Sequence, residues 1–219
     1  MTQPPDQDFE AIYRGDTGAP VIPWDIGEPQ PALAALVSSG WCIGTVLDIG
    51  CGTGELSLAL AARGHSVTGL DVAPSAIDAA RRKAVDRGLG VDFHAADATE
   101  LSGYDNQFDT VLDSGLLHCL PPAQQRRYLD VLRRVCRPGG RVAVLCFADV
   151  PDARTPNRGP LTEQQLRALF SDGWDIDALD AADILGLVPE GLGEISAWPK
   201  DDQGRTLMTG WLMRAHRVA

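Results

Sequence analysis

The chain has 219 residues, 44% of them hydrophobic and 22% charged, with a formal net charge of −11. That length supports one domain with its own core, and the acidic balance argues against nucleic acid, whose binding needs a basic surface that displaces counterions. No apolar run approaches membrane-spanning length and the Pro- and Asp-rich start is unlike a signal peptide, so a cytoplasmic protein without a membrane partner is expected.

Residues 1–30 carry Pro4, Pro5, Pro20, Pro23 and Pro29 around one short amphipathic piece, Phe9 to Tyr13. The first residues are expected to be mobile. Pro20 to Leu33 reads as an extended, proline-stiffened segment that carries Trp24 and Asp25. It is either a strap whose Trp24 fills a gap on the core, or a lid whose Trp24 meets a cation or an aromatic substrate. A cation over an aromatic face is worth ~0.5–2 kcal/mol. The lid reading divides the chain into a lid segment, 1–30, and a domain, 31–219. The five cysteines, Cys42, Cys51, Cys119, Cys136 and Cys146, form no C-x-x-C pair. Isolated reduced thiols fit them better than disulfides or a zinc site.

The apolar run Ile43 to Leu47 ends at Asp48 and breaks into Gly50-Cys51-Gly52-Thr53-Gly54, after which a helical apolar pattern begins at Leu56. Strand, glycine turn and helix open a nucleotide-binding α/β unit. Glycine supplies the unusual dihedrals of the turn, and a Cβ would hold a ligand off the backbone amides. The spacing is G-x-G-x-G rather than the dinucleotide G-x-G-x-x-G, and Glu55 takes the place of the last glycine. Its carboxylate would repel a pyrophosphate on the same amides, so a cofactor without phosphates fits better than NAD(P).

Asp48 to Gly54 resembles motif I of class I S-adenosylmethionine-dependent methyltransferases. The Pro23-Trp24-Asp25 stretch, through Gly27, Pro29 and Pro31, is similar to that of actinobacterial small-molecule methyltransferases acting on quinone-like and hydroxylated heterocyclic compounds. More distantly it resembles thiopurine methyltransferases, which also use an N-terminal Trp near the cofactor.

His65 to Leu70 forms a second strand that ends in Asp71, 21 residues beyond Gly50, with Val72 next. An acid at this spacing accepts hydrogen bonds from both ribose hydroxyls of a nucleoside. Both candidate cofactors carry ribose, so Asp71 does not separate them. Pro74 opens a helix with Ala76, Ile77, Ala80 and Val85 inward and Gly88 after its end. Val91 to Ala95 is the third strand. The resemblance puts Asp97 and Ala98, which follow it, beside the adenine, while Asp97 could equally cap a turn through Thr99.

Phe108 to Asp113 is the fourth strand, and its exit loop, Ser114 to Leu120, should face the crevice beyond the strand ends. His118 in that loop is the candidate general base, because an imidazole ordinarily titrates near neutrality, the alternative being a ring that packs or hydrogen-bonds the loop. The loop lacks the Pro-Pro-aromatic sequence of nucleobase amine methyltransferases and the double-glutamate loop of arginine methyltransferases. Pro121-Pro122 starts a helix that Pro138-Gly139-Gly140 stops, and the Arg-Pro-Gly-Gly turn is a further family feature. Arg141 to Phe147 is the fifth strand, from which Phe147 and Asp149 leave toward the crevice. Asp113 and Asp149 resemble a catechol-type Mg²⁺ pair, but Val150 stands where that family has Asn, so no metal is assigned. Leu161 to Phe170 reads as a helix capped by Thr162, Trp174 to Leu179 as a strand, 186–204 as a connection and Thr206 to Val218 as the last strand.

The fold expected is α/β, a single Rossmann-like doubly wound sheet, mostly parallel with an antiparallel last strand and helices on both faces. The resemblance implies methyl transfer from S-adenosylmethionine, leaving S-adenosylhomocysteine, to an oxygen or nitrogen of a small aromatic or heterocyclic molecule. A non-catalytic S-adenosylmethionine-binding protein and an NAD(P)-dependent oxidoreductase are the alternatives. Cofactor contacts are expected from Trp24, Asp48, Gly50, Cys51, Gly52, Gly54, Asp71, Val72, Asp97, Ala98 and Asp113. Substrate contacts are expected from Tyr13, Trp24, Asp25, His118 and Phe147, in a monomer or homodimer.

Overall fold

A glycine loop ends the first apolar strand, and prolines start three of the helices. The computed structural model describes residues 8–18, 21–156, 159–189 and 193–218, and the expectations for residues 1–7 and Pro20 lie outside these. In chain order the elements are α1 (Phe9–Arg14), α2 (Pro31–Ser38), β1 (Thr45–Ile49), α3 (Glu55–Ala61), β2 (Ser66–Asp71), α4 (Pro74–Arg87) and β3 (Asp92–Ala95). Then follow β4 (Phe108–Ser114), α5 (Pro122–Val135), β5 (Cys136–Phe147), α6 (Glu163–Leu169), β6 (Trp174–Gly186) and β7 (Thr206–Arg217).

The strands form one seven-stranded sheet in the order β3-β2-β1-β4-β5-β7-β6. The first five run parallel, and β7 is antiparallel to both β5 and β6. Alternate residues divide the core. Leu47, Ile49, Val111, Val142 and Val144 pack with Tyr128, Leu132 and Val135 of α5 and Leu166 of α6. Val46, Val67, Leu112, Ala143 and Leu145 pack with Leu33 and Leu36 of α2 and Leu56 and Leu60 of α3. Leu58 of α3, with Phe93, holds Ile77, Ala80 and Ala84 of α4. Register aligns Ile49 with Leu70 and with Asp113, which places Gly50, Asp71 and Ser114 together at the carboxyl edge.

Four expectations change. The extended segment ends at Gln30, three residues before Leu33, because Pro31 starts α2 and Leu33, Leu36 and Val37 bury one helical face. Val85 of α4 points outward at 79% exposure, since the inward stripe passes through Ala84 instead. Helix α5 stops at Val135, ahead of the Pro138 stop, because β5 already begins at Cys136. Residues 137–140 form an irregularity inside β5, between the pairs Phe108–Cys136 and Thr110–Arg141. A Cβ at Gly140 would lie 2.7 Å from the Cys136 sulfur, which explains the second glycine of the turn. Finally, β6 runs on past Leu179 to Gly186 because its whole length pairs with β7. Helix α6 is capped as expected, with Thr162 and Gln165 bonded reciprocally.

Candidate active site

The glycine loop at the exit of β1 is tied to the end of β2. The amides of Gly50 and Cys51 both donate to the Leu70 carbonyl, at 2.7 and 2.9 Å. The Gly52 amide donates to Asp71 Oδ2 at 2.8 Å and the Ala73 amide to Oδ1 at 2.9 Å. An ionised carboxylate offers about four lone-pair sites, so Asp71 has acceptor capacity beyond these two amides. Gly52 and Gly54 take φ of +54° and +86°. A Cβ on Gly54 would meet Phe93 and Ala80 at 2.8 and 2.9 Å, so this glycine lets α3 close on α4, whereas one on Gly52 would lie 2.7 Å from the Tyr13 hydroxyl. Gly52 therefore keeps the loop face open to groups that approach it. Cys51 is half-buried, and burial raises its thiol well above the usual range.

Beneath the loop, Asp48 is fully buried. Its Oδ2 accepts from the Ser57 hydroxyl at 2.6 Å, while Oδ1 has no partner among the described residues. Burial, reinforced by the carboxyls of Asp71 and Asp113, pushes Asp48 up to about 7. Asp113 ends β4 and is equally buried. Its oxygens accept from the Leu116 amide at 2.7 Å, the Leu117 amide at 3.0 Å and the Tyr128 hydroxyl at 2.9 Å. Burial pushes it up to about 6. Asp113, expected beside the methionine end of the cofactor, thus commits both oxygens to the turn that follows β4.

That turn is a 3-10 helix, Leu117–Cys119, and it carries His118. The imidazole is buried, tilted against Phe147 with ring centroids 4.4 Å apart. Its Nδ1 accepts from the Phe147 amide at 3.4 Å. In a neutral ring this bond favours the tautomer with its proton on Nε2. Asp97 is exposed, and its Oδ1 accepts from the amide and hydroxyl of Thr99 at 2.7 and 2.8 Å. The turn-capping alternative describes this bond, and Oδ2 remains for a ligand next to the buried Ala98. Val72 is 56% exposed, an apolar side chain left in solvent directly after Asp71.

The N-terminal segment sits on this loop. Trp24 Nε1 donates to the Tyr13 hydroxyl at 2.8 Å, and Trp24 meets the edges of Phe9 and Tyr13 with centroids 5.8 and 6.1 Å apart. Burial, with Asp71 adding to it, raises the Tyr13 hydroxyl well above its usual range. Asp25 Oδ2 accepts from the Thr53 hydroxyl at 2.8 Å. Trp24 is still 36% exposed, so it does not fill a gap in the core.

Glu55 is not the free carboxylate that its place after the glycine loop suggests. Lys83 donates to Glu55 at 2.8 Å and to Thr53 Oγ1 at 2.7 Å, and Arg87 reaches Glu55 at 2.9 and 3.0 Å. Burial raises the Glu55 carboxyl, but Arg87 and Lys83 outweigh it and hold it below the usual range. Its charge is therefore neutralised and does not itself repel a phosphate. The stronger discriminator lies under the loop, where Asp48, Asp71 and Asp113 have no cationic partner among the described residues. A pyrophosphate would meet an uncompensated negative field there, whereas a sulfonium cation suits it. The residues present therefore fit S-adenosylmethionine.

Sequence reading missed Ser57, Lys83 and Tyr128, whose roles come from helix faces turned toward the loop, and Glu10, whose carboxylate receives the Ser75 hydroxyl at 2.6 Å and amide at 3.0 Å. The one available signal was Pro74-Ser75 at a helix start, where unpaired amides attract an acid. Among the described residues no group of three or more His, Cys, Asp or Glu could hold a metal ion. Asp149, exposed, leaves β5 with its amide donated to Leu161 at 2.9 Å. No described helix is long and apolar enough to cross a membrane.

Sheet order, reversed β7 and a glycine loop anchored on an acid define an enzyme of the methyltransferase class, and the profile of the family described as methyltransferase domain matches residues 46–140. The chain belongs to the S-adenosylmethionine-dependent methyltransferases. It is 37% identical over 228 residues to the 2-heptyl-1-hydroxyquinolin-4(1H)-one methyltransferase of Mycobacteroides abscessus, a match that covers 99% of this chain and 100% of that one. A solved chain from a study of the conversion of a disulfide bond into a thioacetal group during echinomycin biosynthesis is 38% identical, with a TM-score of 0.82 over 96% of this chain and 91% of its own. The 1,6-didemethyltoxoflavin-N1-methyltransferase of Burkholderia thailandensis, solved with S-adenosylhomocysteine, is 25% identical at a TM-score of 0.63, over 86% of this chain and 77% of its own.

Proposed function

We propose that the acceptor is an oxygen or nitrogen of a small aromatic or heterocyclic molecule of quinol or hydroxyquinoline type. The observation that carries this reading is the full-length likeness to a hydroxyquinolone methyltransferase, and the aromatic walls of the site support it. His118 and Phe147 form one wall at the exits of β4 and β5, and Phe9, Tyr13 and Trp24 gather on the segment seated on the glycine loop. The cofactor supplies a methyl carbon already attached to a good leaving group, so this chain's residues align the acceptor and exclude water. In this reading Gly50 to Gly54 bound the methionine part and Asp71 receives the ribose hydroxyls. Val72, Ala98 and the second oxygen of Asp97 flank the adenine. Five cysteines outside any disulfide and a net charge of −11 fit a cytoplasmic enzyme on a small molecule rather than on nucleic acid.

His118 enters this reading as part of the wall rather than as the base, because its Nδ1 accepts from the Phe147 amide at 3.4 Å and the ring lies against Phe147. An acceptor already ionised at neutral pH, such as an acidic N-hydroxyl group, needs no base, whereas an ordinary phenol titrates at ~10. His118→Ala should lower kcat by less than about tenfold, whereas a loss in the 10²–10⁴ range would restore the base role. Sulfur is the second acceptor to try, since the 38% identical solved chain comes from work on a disulfide. Label transfer from S-adenosylmethionine to a panel of hydroxyquinolines, quinols, phenols and thiols, with EDTA present, tests both readings. Transfer to a hydroxylated ring is expected; transfer confined to thiols would replace it, and transfer that appears only with Mg²⁺ would overturn metal independence.

A further inference from the structure

The N-terminal segment behaves as two mechanical parts. Residues 21–30 are bonded along their length to the far end of the sheet. The Leu187 amide donates to the Pro23 carbonyl at 2.7 Å, and Arg205 pairs with Glu28. Gln30, itself buried, exchanges two hydrogen bonds with the backbone of Leu185, at 2.8 and 2.9 Å. Helix α1 is different. None of its residues is fully buried, and Phe9 to Tyr13 are half-buried. Its polar attachment to the domain is Glu10, which accepts from the Ser75 hydroxyl at 2.6 Å and amide at 3.0 Å, in the first turn of α4. Its apolar attachment is Phe9 and Tyr13 against Trp24. Gly15 and Gly18, at φ of +78° and +70°, follow α1, and a Cβ on either would touch nothing within 4 Å, so they serve the bend rather than packing.

We propose that residues 21–30 are a fixed strap, that α1 alone is the moving gate, and that Glu10 is a positioning residue whose grip on Ser75 seats Tyr13 over the cofactor loop. The Tyr13 hydroxyl accepts from Trp24, which leaves its own proton to donate. With α1 docked, that hydroxyl lies above Gly52, where a side chain would block it. Opening requires the two bonds at the α4 N-terminus to break and the Phe9 and Tyr13 edges to leave Trp24, while the strap stays in place. The gate therefore sets how fast the product cofactor leaves. This rests on the placement of the cofactor against Gly50 to Gly54.

The test is the dissociation rate of S-adenosylhomocysteine, followed by stopped-flow tryptophan fluorescence on the full chain. Glu10→Ala and Ser75→Ala should each accelerate release by roughly threefold to tenfold, the range of a charge-assisted contact at an accessible site. Ser75→Thr keeps the hydroxyl and should restore the wild-type rate. In a Tyr13→Ala background, Glu10→Ala should add nothing further, because its effect runs through Tyr13. The Tm of the ligand-free chain should stay the same in all of them. Unchanged release in Glu10→Ala, full additivity with Tyr13→Ala, or a matching fall in ligand-free Tm would each overturn the gate. Failure of the wild-type chain to bind S-adenosylhomocysteine would overturn the cofactor placement and the gate together, whereas tight binding with unaltered release overturns the gate alone.

Discussion

Asp71→Ala is expected to weaken binding of S-adenosylmethionine and S-adenosylhomocysteine by about a hundredfold or more. The carboxylate does two jobs. It holds the Gly52 and Ala73 amides at 2.8 and 2.9 Å, and so fixes the glycine loop against the end of β2. Its remaining acceptor capacity would receive the ribose hydroxyls of a nucleoside. Removing it leaves two partly desolvated N–H groups without an acceptor, at ~1–3 kcal/mol each, and deletes charge-assisted bonds to the ligand. Since 1.4 kcal/mol is a factor of ten, two such losses reach a hundredfold. Isothermal titration measures it. A Kd within about threefold of wild type would sink the assignment. A 2′-deoxyribose analogue separates the two jobs: wild type should discriminate against it, and Asp71→Ala should not.

The parts of this molecule that were legible in the sequence are those set by local rules. Asp48 to Gly54 needs left-handed dihedrals and so needs glycine, and Asp71 falls at the end of the next strand because one helix and one strand fix the spacing. The capping box at Thr162 and Gln165 is likewise local. What stayed hidden depends on partners remote in sequence. Nothing near Glu55 shows that Lys83 and Arg87, 28 and 32 residues on, neutralise it. Nothing near Asp113 announces Tyr128, or the two loop amides that use up its oxygens. Strand β6 was cut short at Leu179 because Asp180-Ala-Ala-Asp183 breaks the apolar alternation, yet pairing with β7 carries it to Gly186. The sequence offers His118 only as a residue type, and the Phe147 amide that meets its Nδ1 is 29 residues away.

The second large effect is a loss of stability as pH rises through neutrality. Asp48 and Asp113 are pushed up to about 7 and about 6 by burial, against an ordinary 3.8. In the unfolded chain both are ionised by pH 5, while the folded chain still holds their protons, so folding takes up protons and stability falls with rising pH. The fall begins above the unfolded value and is complete just above pH 7. Glu55 and Asp109, which are held below their ordinary values, act in the opposite sense, but their contribution is already complete above pH 5 and adds no slope in this window. At about 1.4 kcal/mol per unit, with relaxation and coupling of the pair reducing the sum, wild type should lose about 2–4 kcal/mol between pH 5 and pH 8. Asp48→Asn keeps an acceptor for the Ser57 hydroxyl but cannot ionise. Its new amide hydrogens have no partner where Oδ1 is orphaned, so at pH 5 it should be the less stable protein. At pH 8 it should be the more stable one, and the two urea-unfolding curves against pH should cross. Parallel curves would show that Asp48 does not titrate in this range. The acids that burden the free protein above neutrality are those that suit a cation above the loop, as expected where stability yields to function. Saturating S-adenosylmethionine should then flatten the wild-type pH slope more than the neutral S-adenosylhomocysteine does, because only the sulfonium favours the ionised carboxylates.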